Sequence, residues 1–232
     1  MSTCLSAQPQ VKTDPDRKTD WWGDIDGFLN QQAKVTLSLV SEALNANPPS
    51  LQENITRKIA LVMIDNVLHE EKAQHRPAVQ AFYRERIENA IREIGTLQVA
   101  SGAVIWKLYN HTFVVKTPSV TIGFDIQRGI PGNEGFAFSK ELIKSLIDVV
   151  DILFVTHYHG DHADEWVAGT FIEQNKPVIT PPGLWEKLPV YKSVLHHERT
   201  IEKLHTINLP LKQKNIEVVV CPGLQGSEIL NN

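Results

Sequence analysis

The chain has 232 residues, 42% of them apolar, which suffices for one ordinary domain with an appendage. A formal charge of −4 and the lack of a basic stripe argue against a nucleic-acid surface, and no apolar run approaches the length of a membrane span. The two cysteines, Cys4 and Cys221, lie far apart and fit neither a disulfide framework nor a Cys-based zinc knuckle.

Residues 1–20 are polar and carry no period, so they are predicted to form a disordered tail. "STCLSAQPQ" admits two readings. One is a cytoplasmic tail; the other is the end of a signal peptide cut after Ala7, and residues 1–7 lack the charged and apolar regions that should precede such an end. Residues 21–95 are predicted to be helical. A first helix carries Ile25, Phe28, Leu29, Val35, Leu39 and Leu44, and Asn47-Pro48-Pro49 breaks it. Ser50 with Glu53 resembles a capping box for a second helix, striped by Ile55, Ile59, Val62, Met63 and Val67. A third helix follows Pro77, with Val79, Phe82, Tyr83, Ile87, Ile91 and Ile94 on its stripe and Gly95 as a stop.

Residues 96–232 change character. "AVIWKLYNHTFVVKT" and "VTIGFDI" are β-rich around a "PS" turn. Then "KELIKSLI" reads as helix, "DVVDILFVT" as strand, "ADEWVAGTFIEQNK" as helix, "PVIT" as strand, "GLWEKL" as a helical turn and "NIEVVVC" as strand. Strands alternating with helices predict a layered α/β domain.

The strand "DVVDILFVT" runs directly into "THYHGDHAD". His157 and His159 share one side of an extended segment, because side chains alternate with period two. Gly160 permits a sharp turn that swings Asp161 and His162 toward the same space. Imidazole nitrogen and carboxylate oxygen both suit a divalent zinc ion, so one loop can give two ligands to each of two adjacent metals. Such a pair can share a hydroxide, lower its pKa and polarise the group it attacks. A single HxH would be weak evidence; the six-residue pattern after a buried strand is strong.

The stretch "THYHGDHAD" resembles the signature of the metallo-β-lactamase superfamily, and "NHTFVVKTPSVTIGFDI" is similar to strands of its ascorbate-6-phosphate lactonase-like branch. The resemblance covers about residues 98–225 and implies an αββα sandwich, here partial and preceded by the helical N-terminal segment. It implies that His157 and His159 serve one Zn2+ and Asp161 and His162 a second, other divalent metals being alternatives. Asp161 would also orient the attacking water, and Asp125 would brace the metal loop through hydrogen bonds. His111 matches a position that is often histidine in that branch, with no role assigned. His196 and His197 in "SVLHHERT" read as a solvated helix face, and His69, His75 and His205 as surface residues.

The chain departs from the family in "VVVCPGLQGSE", where Leu224 stands at the position of a ligating histidine, and it ends at Asn232 before the family's last two motifs. The resemblance therefore implies a truncated or degenerate member, with an uncovered sheet face that favours self-association. Each half-site keeps two ligands where zinc usually wants three. The expected function is a metal-dependent hydrolase of lactones or phosphoesters, impaired in this form and acting on a small molecule. The alternative is a catalytically inactive interaction protein of the same fold. A nuclease is disfavoured by the acidic balance, and neither nucleic acid nor membrane is an expected partner.

Overall fold

The computed structural model describes residues 24–129, 137–198, 200–225 and 228–230. The tail at residues 1–20, with its two readings, lies outside the described residues. The chain divides into two compact units, the first ending at Val79 and the second beginning at Gln80.

In the first unit α1 (Ile25–Ala46) packs on α2 (Ile55–Leu68). Their corner is tied by asparagines. Asn54 caps α2 by accepting from the Arg57 backbone N–H at 3.0 Å, and its amide donates to Asn47 Oδ1 at 2.9 Å. The Arg57 guanidinium closes the corner on the Asn47 carbonyl at 3.0 Å. Ser50 is not the cap; its hydroxyl donates to the Gln52 carbonyl. The buried face of α1 is Ala33, Leu37, Val40 and Leu44, and that of α2 is Ala60 and Val67. Ile25, Phe28, Val35, Leu39, Ile55, Ile59 and Val62 are exposed, so most of the expected stripe faces the other way.

The second unit is a layered α/β domain. Its main sheet has six strands in the order β1 (Val104–Lys107), β2 (Phe113–Lys116), β3 (Thr121–Phe124), β4 (Ile152–Phe154), β5 (Val178–Thr180) and β6 (Leu195–His196). The first three pair antiparallel and the last four pair parallel. Helices α4 (Lys140–Asp148) and α5 (Glu165–Glu173) supply the crossovers to β4 and β5. The stretch containing His196 and His197 is not a helix. Leu195 and His196 pair with β5, where sheet hydrogen bonds override local preference.

Alternation along the strands sorts two cores. Leu153, Val155 and Val178 face the helices and join Ile147, Val167 and Phe171, all buried. The helix α3 (Pro77–Thr96) contributes Ile87, Ala90 and Ile94 to this cluster, so most of α3 belongs with the sheet and not with the N-terminal helices. Ile152 and Ile179 face the other way. There they meet Ile207 and Leu209 of β7 (Thr200–Leu209), which pairs antiparallel with β8 (Lys214–Val220) as a two-stranded ribbon. A short pair, β9 (Gly223–Gln225) and β10 (Glu228–Leu230), follows. The sheet face expected to lie open is thus partly covered by the ribbon, although Ile105 and Phe113 remain exposed near the β1 edge.

Candidate metal centre

The loop after β4 carries the four sequence-predicted ligands, and it leaves the sheet at the carboxyl ends of β3 and β4. That edge is where parallel α/β sheets place their binding sites. Because β2 runs antiparallel to β3, with Phe113 opposite Phe124, the β1–β2 turn reaches the same edge and brings His111 there.

Asp125 organises the site. It follows β3 directly, is buried, and takes a left-handed backbone with φ of 48°, which aspartate tolerates better than most residues. Its backbone N–H donates to the Phe154 carbonyl at 2.9 Å, fixing it against the end of β4. Its carboxylate accepts from the Thr156 backbone N–H and hydroxyl, each at 2.7 Å, and from His162 Nδ1 at 2.8 Å. The Thr156 hydroxyl, having given its proton to Asp125, can accept from His157 Nδ1 at 3.1 Å. Both imidazoles therefore have Nδ1 engaged and Nε2 left as the lone-pair nitrogen.

The four loop residues and His111 cluster tightly. The His157 ring lies 3.8 Å from that of His162 and 4.7 Å from that of His159, centroid to centroid. Asp161 Oδ2 stands 3.2 Å from His111 Nε2 and 3.8 Å from His162 Nε2. Gln127, itself buried, donates its side-chain amide to the Asp161 carbonyl at 2.6 Å and so pins the middle of the loop. At the loop's end Asp164 accepts from the Val167 N–H to cap α5 and from the Arg128 guanidinium at 2.8 Å. The left side of the loop is thereby tied to residues after β3, and its exit to a helix.

Electrostatics favour the ligating protonation states. Burial, followed by the nearby His162 and His159, holds the His157 imidazole below its ordinary pKa, against the pull of Asp125 and Asp161. Burial tends to raise the Asp161 carboxyl, but a backbone hydrogen bond and His162, His111 and His159 outweigh it and hold it lower. A neutral imidazole and an ionised carboxylate are the forms that bind a divalent metal. The donor set, with fixed Nε2 lone pairs, fits a zinc-class ion.

Beside His157 a cavity of about 410 Å³ lies between sheet and ribbon, lined mainly by Ile122, Phe124, Phe154, Ile179 and Val218. Leu224 sits in β9 opposite Ile229.

Of the remaining histidines, His69 and His75 are exposed. His205, expected at the surface, is buried instead, because it occupies the inward-facing row of β7 with Ile207 and Leu209. His196 is tied to the Thr180 hydroxyl at 2.9 Å and the Tyr191 carbonyl at 3.1 Å, so both its ring nitrogens are engaged within the fold. The sequence assigns His111 no role and carries no signal for Gln127 or Arg128. For His111 the signal is the resemblance, in which that position is often histidine.

Among the described residues no helix is long and apolar enough to cross a membrane. The chain matches no model of a known protein family and no curated protein.

Proposed function

We propose that residues 157–162 form a zinc-class metal centre and that the protein is a hydrolase of the metallo-β-lactamase type, acting on a lactone or phosphoester. The observation that carries this reading is the grip of the buried Asp125 carboxylate on Thr156 and His162 Nδ1, an arrangement that holds ligating imidazoles in one tautomer. His157 and His159 would hold one metal ion, and Asp161 and His162 a second. Bound there, such an ion supplies Lewis acidity to the scissile carbonyl or phosphoryl group and acidifies water at the site. Asp161 is half-exposed and ionised, so it can accept a hydrogen bond from an attacking water and orient it. The buried His157 lines the largely apolar cavity, so one wall of the site is apolar.

A second reading is favoured by Leu224, which leaves His157 and His159 without the histidine that the resemblance supplies at that position. On this reading the fold binds a partner and does no chemistry. Metal analysis of purified protein, with turnover measured on a lactone and a phosphodiester, separates the two. Metal-dependent turnover that His159→Ala abolishes supports the hydrolase. Bound metal without turnover leaves the interaction protein, and no bound metal ends the first reading.

A further inference from the structure

The loop pairs of donors are not equal. Among the described residues, the one group of three side chains whose ligand atoms all lie within 4.8 Å of one another is His111, Asp161 and His162. His157 and His159 belong to no such group there.

His111 is also better anchored than an exposed turn residue would normally be. Its turn closes through the Leu108 N–H on the Thr112 carbonyl at 3.0 Å and the Thr112 N–H on the Tyr109 carbonyl at 3.1 Å. The Thr112 hydroxyl then donates to the Asp125 carbonyl at 2.8 Å. One residue, Asp125, therefore sets both the turn that carries His111 and the ring of His162. Those two rings lie stacked, 4.0 Å between centroids and 15° between planes.

The spacing suits a metal. A tetrahedral ion about 2.1 Å from each nitrogen and oxygen donor separates its donors by roughly 3.4 Å. The Asp161 Oδ2 distances of 3.2 Å to His111 and 3.8 Å to His162 bracket that edge. Imidazole lone pairs lie in the ring plane, so the stacked rings of His111 and His162 must turn about their side-chain torsions to aim both nitrogens at one ion. As a bare ion pair the contact would contribute little, because His111 and Asp161 are 48% and 40% exposed and screened by water. Two imidazoles and one carboxylate with an open fourth position form a donor set used by catalytic zinc.

We propose that His111 completes, with Asp161 and His162, a three-donor site for one divalent metal of the zinc class, and that this site fills before any at His157 and His159. The inference rests on the reading of the loop as a metal centre.

Zinc affinity measured by chelator competition on the full chain tests it, for the wild type, His111→Ala and a His157→Ala, His159→Ala double variant. The expected result is a loss of about tenfold or more in His111→Ala and less than about threefold in the double variant for the first ion. His111→Cys, loaded with Co2+, should add a thiolate-to-cobalt absorption over the wild-type spectrum, which a merely structural His111 would not give. Melting of the metal-free variants checks that they fold. Wild-type affinity in His111→Ala, with affinity lost in the double variant, overturns the proposal and leaves the metal centre standing. The same holds if His111→Cys folds and binds Co2+ without the new band. A wild type that binds no zinc overturns both.

Discussion

The two faces of the six-stranded sheet are built to different standards. On the helix face, Leu153 and Val178 meet Leu146, Ile147 and Phe171, each at most 1% exposed. On the other face a ribbon of two strands covers Ile152 and Ile179 but leaves a cavity of about 410 Å³ under Phe124 and Phe154. The loop that carries His157 leaves the edge where these faces meet. The difference separates stability from access: three helices hold the sheet, and the looser face leaves room beside the candidate centre.

Truncation tests that contrast most strongly. Phe171→Ala, at a fully buried site, should cost about 3–5 kcal/mol, a large fraction of the roughly 5–15 kcal/mol that holds an ordinary domain. Phe154→Ala, against the existing cavity, should cost roughly half as much, since part of its surroundings is already empty. Urea denaturation of the two variants gives the comparison. Equal losses would mean that the ribbon face is packed as well as the helix face.

At the meeting edge, Asp125→Ala removes the acceptor of three hydrogen bonds and places alanine at a φ of 48°. Leaving the Thr156 N–H and hydroxyl without that acceptor should cost about 2–4 kcal/mol, and zinc affinity should fall about 10- to 100-fold. Asp125→Asn keeps one acceptor oxygen and the tolerance of left-handed backbone, so its stability loss should be smaller. If Asp125→Ala melts like the wild type, the carboxylate does not organise the loop.

What the sequence made legible was local. The spacing of His157, His159, Asp161 and His162 gathers four donor side chains in one loop because a strand followed by a glycine turn needs no distant information. The layered α/β arrangement was likewise readable from strands alternating with helices. Apart from the α2 cap, which falls to Asn54 and not to Ser50, the misses are decided by packing at a distance. The α1 sequence holds two apolar rows, Ala33-Leu37-Val40-Leu44 and Ile25-Phe28-Val35-Leu39, and period alone cannot say which one turns inward. Leu195 and His196 are in a strand because Ile179 and Thr180 lie alongside to pair with them. His111 meets Asp161 across 50 positions of chain, through a turn held by Thr112, and no spacing rule connects the two.

A smaller effect concerns pH. In the metal-free protein the folded His157 has its pKa below the ordinary value, first through burial, and His197 is lowered in the same way, with His205 as its nearest like-charged neighbour. As pH falls below about 6.5, the unfolded chain binds protons that the folded chain refuses, so stability declines with acidification until the folded groups titrate. Above that range neither group contributes a slope. Urea midpoints at pH 7.5, 6.5 and 5.5 should fall, and His157→Asn should fall less steeply than the wild type. An equal slope in both proteins would place the acid sensitivity elsewhere.

The smallest expected effect lies on the ribbon face. His205 and His197 stack at 4.1 Å with 29° between planes, and among the described residues the buried Nε2 of each has no hydrogen-bond partner. A buried polar atom left unpaired costs about 1–3 kcal/mol, so a looser face is where such a pair can persist. His205→Phe keeps a flat ring against His197 and removes one unpaired nitrogen and one like charge. The larger ring adds some crowding, which offsets part of the gain. The balance should be a stabilisation of at most about 1 kcal/mol at neutral pH, together with a shallower loss on acidification, because the His197 proton no longer meets a second imidazole. Urea denaturation at pH 7.5 and 5.5 reads both effects. A loss above about 2 kcal/mol at pH 7.5 would mean that the His205 nitrogen is satisfied in solution, and that the ribbon face is more closely built than its cavity indicates.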